Sequence, residues 1–138
     1  MPGSLTLRVI TPERIVLDQV VDAVVVPATD GLTGILPRHA RMVVALDAGD
    51  MKYLQGGREQ HLFVSGGFAE VARDTVRVMT EASERPTEID VDRAHRAAER
   101  ARERLRERQI GPGEAYDHLR AEAALRRALV RMRLAQRN

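Results

Sequence analysis

Apolar and polar residues alternate with a period of two over the first part of the chain and with a period of three to four over the last part. Leu5, Leu7 and Val9 alternate with Thr6, Arg8 and Ile10. Ile15-Val16-Leu17 follows Pro12, and Val20 to Val26 is a β-branched run that Pro27 is expected to stop. Asp30-Gly31-Leu32-Thr33-Gly34 reads as a loop. Met42 to Leu46, Met51 to Leu54, His61 to Val64, Phe68 to Ala72 and Thr75 to Thr80 read as further strands. Gly56-Gly57 and Arg73-Asp74 are expected as hairpin turns, and Gly66-Gly67 as a bend or bulge. Short strands with no helical stretch between them predict an antiparallel β-sandwich or barrel of about ten strands. Parallel βαβ folds are excluded for want of crossover helices.

The polar connector Glu81 to Glu88 ends this pattern. Val91, Ala94, Ala98, Ala101 and Leu105 then fall at spacings of 3, 4, 3 and 4, which predicts a helix from 91 to about 109. Asp90 is placed to cap it, and Asp92 to complement its dipole. Gly111-Pro112-Gly113 must break it, and Ala121, Leu125, Ala128, Met132 and Ala135 mark a second helix. A turn this short makes the pair an antiparallel two-helix hairpin. Its seams are mostly Ala, and at roughly 25 cal/mol per Å² of apolar area such seams hold the helices weakly. A hairpin of this kind is suited to opening or binding elsewhere; a constitutively packed appendage is the alternative.

The 138 residues amount to one domain and an appendage, and the charge agrees with the division. Residues 1–84 carry eight Arg or Lys against eleven Asp or Glu, whereas residues 85–138 carry fourteen Arg against nine acids. The expected boundary is therefore a β-domain at 1–84 and an α-domain at 85–138. All but one of the 22 basic residues are Arg, so the number of Arg residues by itself says little. The absence of Cys excludes disulfides and thiolate chemistry. The start lacks the basic-then-apolar order of a signal peptide, and no run reaches the length of a membrane span.

Catalytic constellations are poor. His39, His61, His95 and His118 are scattered without metal-ligand spacing, and Ser65 lacks the preceding Gly of a nucleophile elbow. No Gly-rich loop ends in a phosphate-binding Lys. The helices do carry Arg93 and Arg100 seven apart, and Arg127 and Arg131 four apart, so a closed hairpin can bring four guanidinium groups towards one anion. A solvated face with Glu99, Glu103, Glu107 and Glu122 as partners is the alternative reading of the same stripes.

Three segments carry a family resemblance: Gly34-Ile35-Leu36-Pro37-Arg38-His39, Val64-Ser65-Gly66-Gly67-Phe68-Ala69-Glu70-Val71 and Glu88-Ile89-Asp90. Their order over essentially the whole chain resembles the epsilon subunit of F-type ATP synthase. The resemblance implies a β-sandwich followed by a helical hairpin, in a rotor subunit without catalytic residues. It implies docking of the sandwich on the gamma subunit and the membrane c-ring, with Leu32, Ile35, Pro37, Arg38, His39 and Arg41 at the contact. The hairpin is implied to regulate ATP hydrolysis, reaching the catalytic beta and the alpha subunits when extended. The expected location is peripheral, on the cytoplasmic face of a bacterial plasma membrane, with a plastid thylakoid as the less favoured alternative and no inserted segment.

Ile89-Asp90-Val91-Asp92-Arg93-Ala94 also resembles the motif of epsilon subunits that bind ATP in the folded hairpin. The implied ligand set is Glu84, Ile89, Asp90, Arg93, Ala94, Arg100, Arg127 and Arg131, for ATP with or without Mg as a regulatory ligand; no cofactor is obligatory. The contact loop departs from the family at Leu32-Thr33, where Glu-Leu is usual, at Arg38, where Gly is usual, and at Arg41, where Pro is usual. Two rivals are weaker. An RNA-binding hairpin would need stacking rings, and Tyr116 is the one aromatic residue on that segment. A metal- or sugar-binding sandwich enzyme would need a pocket of convergent carboxylates or His.

Overall fold

A computed structural model describes residues 4–107 and 114–137. The end of the first expected helix and the Gly111-Pro112-Gly113 turn lie outside the described residues. The chain forms two compact units, Met1–Arg85 and Pro86–Asn138. Among the described residues the first contains eight strands: β1 (Leu5–Ile10), β2 (Ile15–Val21), β3 (Ala23–Ala28), β4 (Gly31–Ile35), β5 (Met42–Gln55), β6 (Arg58–Ala72), β7 (Thr75–Met79) and β8 (Ser83–Glu84). They hydrogen-bond in the order β2-β1-β7-β6-β5-β3-β4, and β8 pairs with β6 in line with β7. One core takes Leu17 and Val21 from β2, at one end of this order, and Val24, Val26 and Ile35 from β3 and β4 at the other. The sheet therefore folds over itself into two layers, a sandwich closed around Val, Leu and Met.

Several local features refine the sequence reading. The four segments expected between Met42 and Ala72 are two long strands, β5 and β6, paired in one unbroken register from Met42↔Val71 to Gln55↔Arg58. Gly66 and Gly67 bend β6 with φ of 122° and 102° but insert no extra residue against β5. The expected loop at Asp30–Gly34 is largely β4, a hairpin partner of β3 with Ala28 opposite Gly31. β1 and β7 run parallel, a correction to an all-antiparallel sandwich. Their connection is a long excursion of β-structure, so no crossover helix is needed to bring parallel strands together. The hairpin turns stand as expected, with positive φ at Gly56, Gly57, Arg73 and Asp74, the conformation that matches strand twist.

Pro27 does not stop the β-branched run. Asp22 interrupts it, between β2 and β3, and Pro27 lies within β3 where pairing with β5 is irregular between Val25 and Ala28. Proline lacks an N–H for the ladder, and such an irregularity is where a sheet tolerates it. Gly49 of β5 makes room: a Cβ there would stand 2.7 Å from Pro27 Cβ.

Among the described residues the second unit holds the single turn Pro86–Glu88 and two helices, α1 (Val91–Arg106) and α2 (Glu114–Ala135). Ala94, Ala98 and Ala101 of α1 are buried, as are Ala121, Ala128, Val130 and Leu134 of α2. Val91, expected in the seam, is about half exposed at 49%. Val130 and Leu134 widen the buried face of α2 beyond the expected stripe, and the Pro86–Glu88 turn packs on this helix. No helix among the described residues is long and apolar enough to cross a membrane.

Candidate functional site

The first turn of α1 holds the motif residues in distinct structural roles. Asp90 has extended φ/ψ and its Oδ1 accepts the Arg93 N–H at 3.0 Å, so it is the N-cap. Ile89 and Ala94 are buried, and the Ala94 N–H donates to the Asp90 carbonyl at 3.0 Å. Half of the motif thus builds the helix start, and Arg93, which is exposed, is its cation. Glu84 belongs to the sandwich unit, on β8 opposite Phe63.

Arg93, Arg100 and Arg104 fall at i, i+7 and i+11 on α1, beside the Ala94–Ala98–Ala101 seam. Arg120, Arg127 and Arg131 repeat that spacing on α2 beside Ala121 and Ala128. Arg104, Arg120 and Arg127 line one recess of about 320 Å³ with Ala123 and Ala124. Of these three arginines, the sequence reading singles out Arg127 alone and misses Arg104 and Arg120. The doubled i, i+7, i+11 pattern is the signal that marks them. Two of the carboxylates read as possible partners for this cluster are engaged elsewhere: Glu99 pairs with Arg102 at 2.8 Å, and Glu122 with His118 at 3.0 Å.

The sandwich presents a second candidate surface. Leu32 is 69% exposed; Arg38 and Arg41 are exposed, and Pro37 and His39 half-buried. Ile35 is a correction: it is completely buried in the core, because strand alternation turns its side chain inward. Its neighbour Leu36 points out at 64% exposure and takes its place on the surface. Arg38 has φ of 66°, which explains why glycine is favoured there, and its N–H is held by Asp74 Oδ1 at 2.6 Å. The His39 imidazole Nδ1 donates to the Ala40 carbonyl at 2.7 Å.

An apolar row crosses the outer face of the same unit. Cross-strand partners place Ile15, Ile10, Met79, Phe68 and Ala45 side by side across five strands. Ile15 is 59% and Phe68 46% exposed. The next outward row is charged, with Arg8 against Asp18 at 3.4 Å and Arg77 against Glu70 at 3.9 Å. An apolar strip with a polar border is the anatomy of a docking surface.

The residues that would suggest an enzyme have structural explanations. Ser65 ties β6 to the chain beyond β7: its N–H donates to the Ala82 carbonyl at 3.0 Å, and its Oγ accepts from the Ala82 N–H at 2.9 Å and lies 3.2 Å from Thr80 Oγ1. His61 Nδ1 lies 2.9 Å from Asp50 Oδ2 across the β5–β6 ladder. Burial pushes the Tyr53 phenol above its ordinary range, with the Arg85 cation opposing, so it stays protonated. Among the described residues no three His, Cys, Asp or Glu side chains converge as metal ligands.

Comparison with known proteins covers both units. The family described as ATP synthase, Delta/Epsilon chain, beta-sandwich domain matches residues 4–86, and its companion, the long alpha-helix domain, matches residues 87–136. The chain is similar to the ATP synthase epsilon chain of Nitratidesulfovibrio vulgaris, at 46% identity over 97% of each chain. It is 48% identical to that of Symbiobacterium thermophilum, over 96% of this chain and 94% of the other. Among solved structures it is similar to a chain of the Euglena gracilis mitochondrial ATP synthase assembly of OSCP, F1 and c-ring. That match has a TM-score of 0.79 and 26% identity, and covers 100% of this chain and 84% of the other.

Proposed function

Because this chain belongs to the ATP synthase delta/epsilon family, as a non-catalytic epsilon subunit of the F-type central stalk, we propose that its sandwich docks on the rotor and its hairpin regulates ATP hydrolysis. The rotor partners are the gamma subunit and the c-ring. The loop side chains Leu32, Leu36, Pro37, Arg38, His39 and Arg41 meet the c-ring, and the apolar row from Ile15 to Ala45 meets gamma. The subunit belongs to a membrane-associated complex, and its place is the cytoplasmic face of a bacterial plasma membrane.

The hairpin acts as a nucleotide sensor. Arg93 and Arg100 of α1 and Arg127 and Arg131 of α2 hold the phosphates of ATP, with Mg where it accompanies the nucleotide. Ile89, Asp90 and Ala94 complete the proposed set. The observation that carries this reading is the pair of Arg stripes flanking one Ala seam, with Arg127 lining a recess that takes residues from both helices. Guanidinium groups recognise phosphate oxygens by paired, charge-assisted hydrogen bonds.

A ligand that bridges two weakly held helices stabilises the closed form by RT ln(1 + [L]/Kd), about 2.7 kcal/mol at a hundredfold excess over Kd. When ATP falls, the hairpin opens towards the beta and alpha subunits and blocks rotation in the hydrolysis direction. Calorimetry of the full chain with ATP tests the sensor. Wild type should give a saturable heat, and Arg93→Ala or Arg127→Ala should each weaken binding about tenfold, the cost of a lost charged hydrogen bond. Equal binding by all three proteins, or none by wild type at millimolar ATP, removes the sensor.

A further inference from the structure

We propose that Asp74 is a positioning residue for docking on the rotor: its carboxylate sets the backbone orientation of the loop 36–41 and, through it, the side chains that the loop presents to the c-ring. The inference rests on the c-ring reading of that loop above and adds a residue 36 positions from Arg38 in sequence. Residues 36–41 join β4 to β5 outside either strand, and their own sequence leaves the backbone a choice. Pro37 has a fixed negative φ, and a proline at the second position of a turn suits both type I and type II. The two types differ by a flip of the peptide after the proline, here the one between Pro37 and Arg38. Type II needs positive φ at the next residue, which Gly takes freely and Arg does not, so Leu36-Pro37-Arg38-His39 by itself favours type I. Arg38 nevertheless has φ of 66°, the type II choice.

The group that tips the choice lies outside the loop. The N–H of the flipped peptide is that of Arg38, and it donates to Asp74 Oδ1 at 2.6 Å. A carboxylate makes a stronger acceptor than a neutral oxygen, and the type I orientation would turn this N–H away from it. Asp74 is itself held in place. With Arg73 it forms the two-residue turn between β6 and β7, closed by Ala72 and Thr75, with positive φ at both central residues. Its carbonyl accepts the Thr6 N–H at 2.8 Å. The acceptor is therefore built onto the paired strands β1, β6 and β7, and the loop takes its orientation from them. Leu36, Arg38 and Arg41 are exposed around the turn, while Ile35 keeps the start of the loop in the core. A flip of the peptide thus re-aims the contact side chains and leaves the sandwich as it is.

The test pairs amide hydrogen exchange of the full chain, read by NMR, with titration of c-rings in phosphatidylcholine vesicles by F1 rebuilt around each variant. Gly enters positive φ freely, so Asp74→Gly removes the carboxylate and keeps the β6–β7 turn, whereas Asp74→Asn keeps an uncharged oxygen acceptor. Asp74→Gly should speed exchange at Arg38 about tenfold and weaken c-ring association about tenfold, the loss of a charge-assisted bond. Exchange at Thr6 and binding to isolated gamma should be unchanged. Asp74→Asn should recover most of both losses. Leu36→Asp is the reference for the loop itself and should also weaken c-ring association. Unchanged exchange at Arg38 in Asp74→Gly, or loss of Thr6 protection and gamma binding along with it, overturns the positioning role. Association that Leu36→Asp weakens and Asp74→Gly does not overturns that role and leaves the docking loop standing. Association that neither variant weakens removes both.

Discussion

Gly67→Ala is expected to destabilise the sandwich by about 4 kcal/mol, a large part of the 5–15 kcal/mol that holds an ordinary domain together. Gly67 has φ of 102°, in a region that side-chain-bearing residues rarely enter. A Cβ built on it would run into the backbone carbonyl oxygen of Met79 and also meet Thr80 Cα at 3.1 Å. These are backbone atoms of the paired β7 and its continuation, so relief requires strands to separate. The conversion for a domain of this size is a fall in Tm of roughly 20 °C. Gly34→Ala is the matched control, because a Cβ added there would have nothing within 4 Å and its φ is ordinary. It should melt within a few degrees of wild type; equal melting of both variants would show that the β6 bend is not held as described.

Ile15→Asp/Phe68→Asp should leave the fold intact and weaken binding to the isolated gamma subunit on the order of a hundredfold or more. Both side chains are substantially exposed, at 59% and 46%, so a charge placed there stays in water in the free protein. On docking, each carboxylate would be carried into an apolar interface without a partner, where desolvation opposes binding. The two residues lie in one cross-strand row with Ile10 and Met79 between them, so their effects should be coupled. Thermal melting checks the fold and titration with gamma reads the docking. Undiminished binding would move the gamma surface off this row.

Much of the architecture is legible in the sequence because two periods in one chain cannot share one kind of element. Leu5, Leu7 and Val9 must face one side of a strand, and Ala94, Ala98 and Ala101 must face one side of a helix, whatever else the chain does. What is not legible depends on neighbours distant in sequence. Pro27 reads as a stop until Gly49 on another strand is seen to leave room for it. Residues 31–34 read as a loop because their strand character comes from pairing with β3 rather than from β-branched side chains. Ile35 reads as a surface residue if the loop is taken whole, and the pleat of β4 buries it. In the hairpin, Arg93, Arg100, Arg127 and Arg131 come from spacing and resemblance. Arg104 and Arg120 extend the same spacing, and packing shows that they border one recess with Arg127.

The central claim is a division of labour between a docking sandwich and a regulatory hairpin, and it is tested most directly by deleting residues 88–138 and rebuilding the ATP synthase complex with the remainder. The sandwich has its own core, from Leu5 to Val78, so the shortened chain should fold and assemble. Rebuilt complexes should couple proton flow to ATP synthesis as the full-length ones do, while ATP hydrolysis rises and loses its dependence on the nucleotide level. A shortened chain that folds but fails to assemble, or complexes whose hydrolysis is regulated as before, would contradict it.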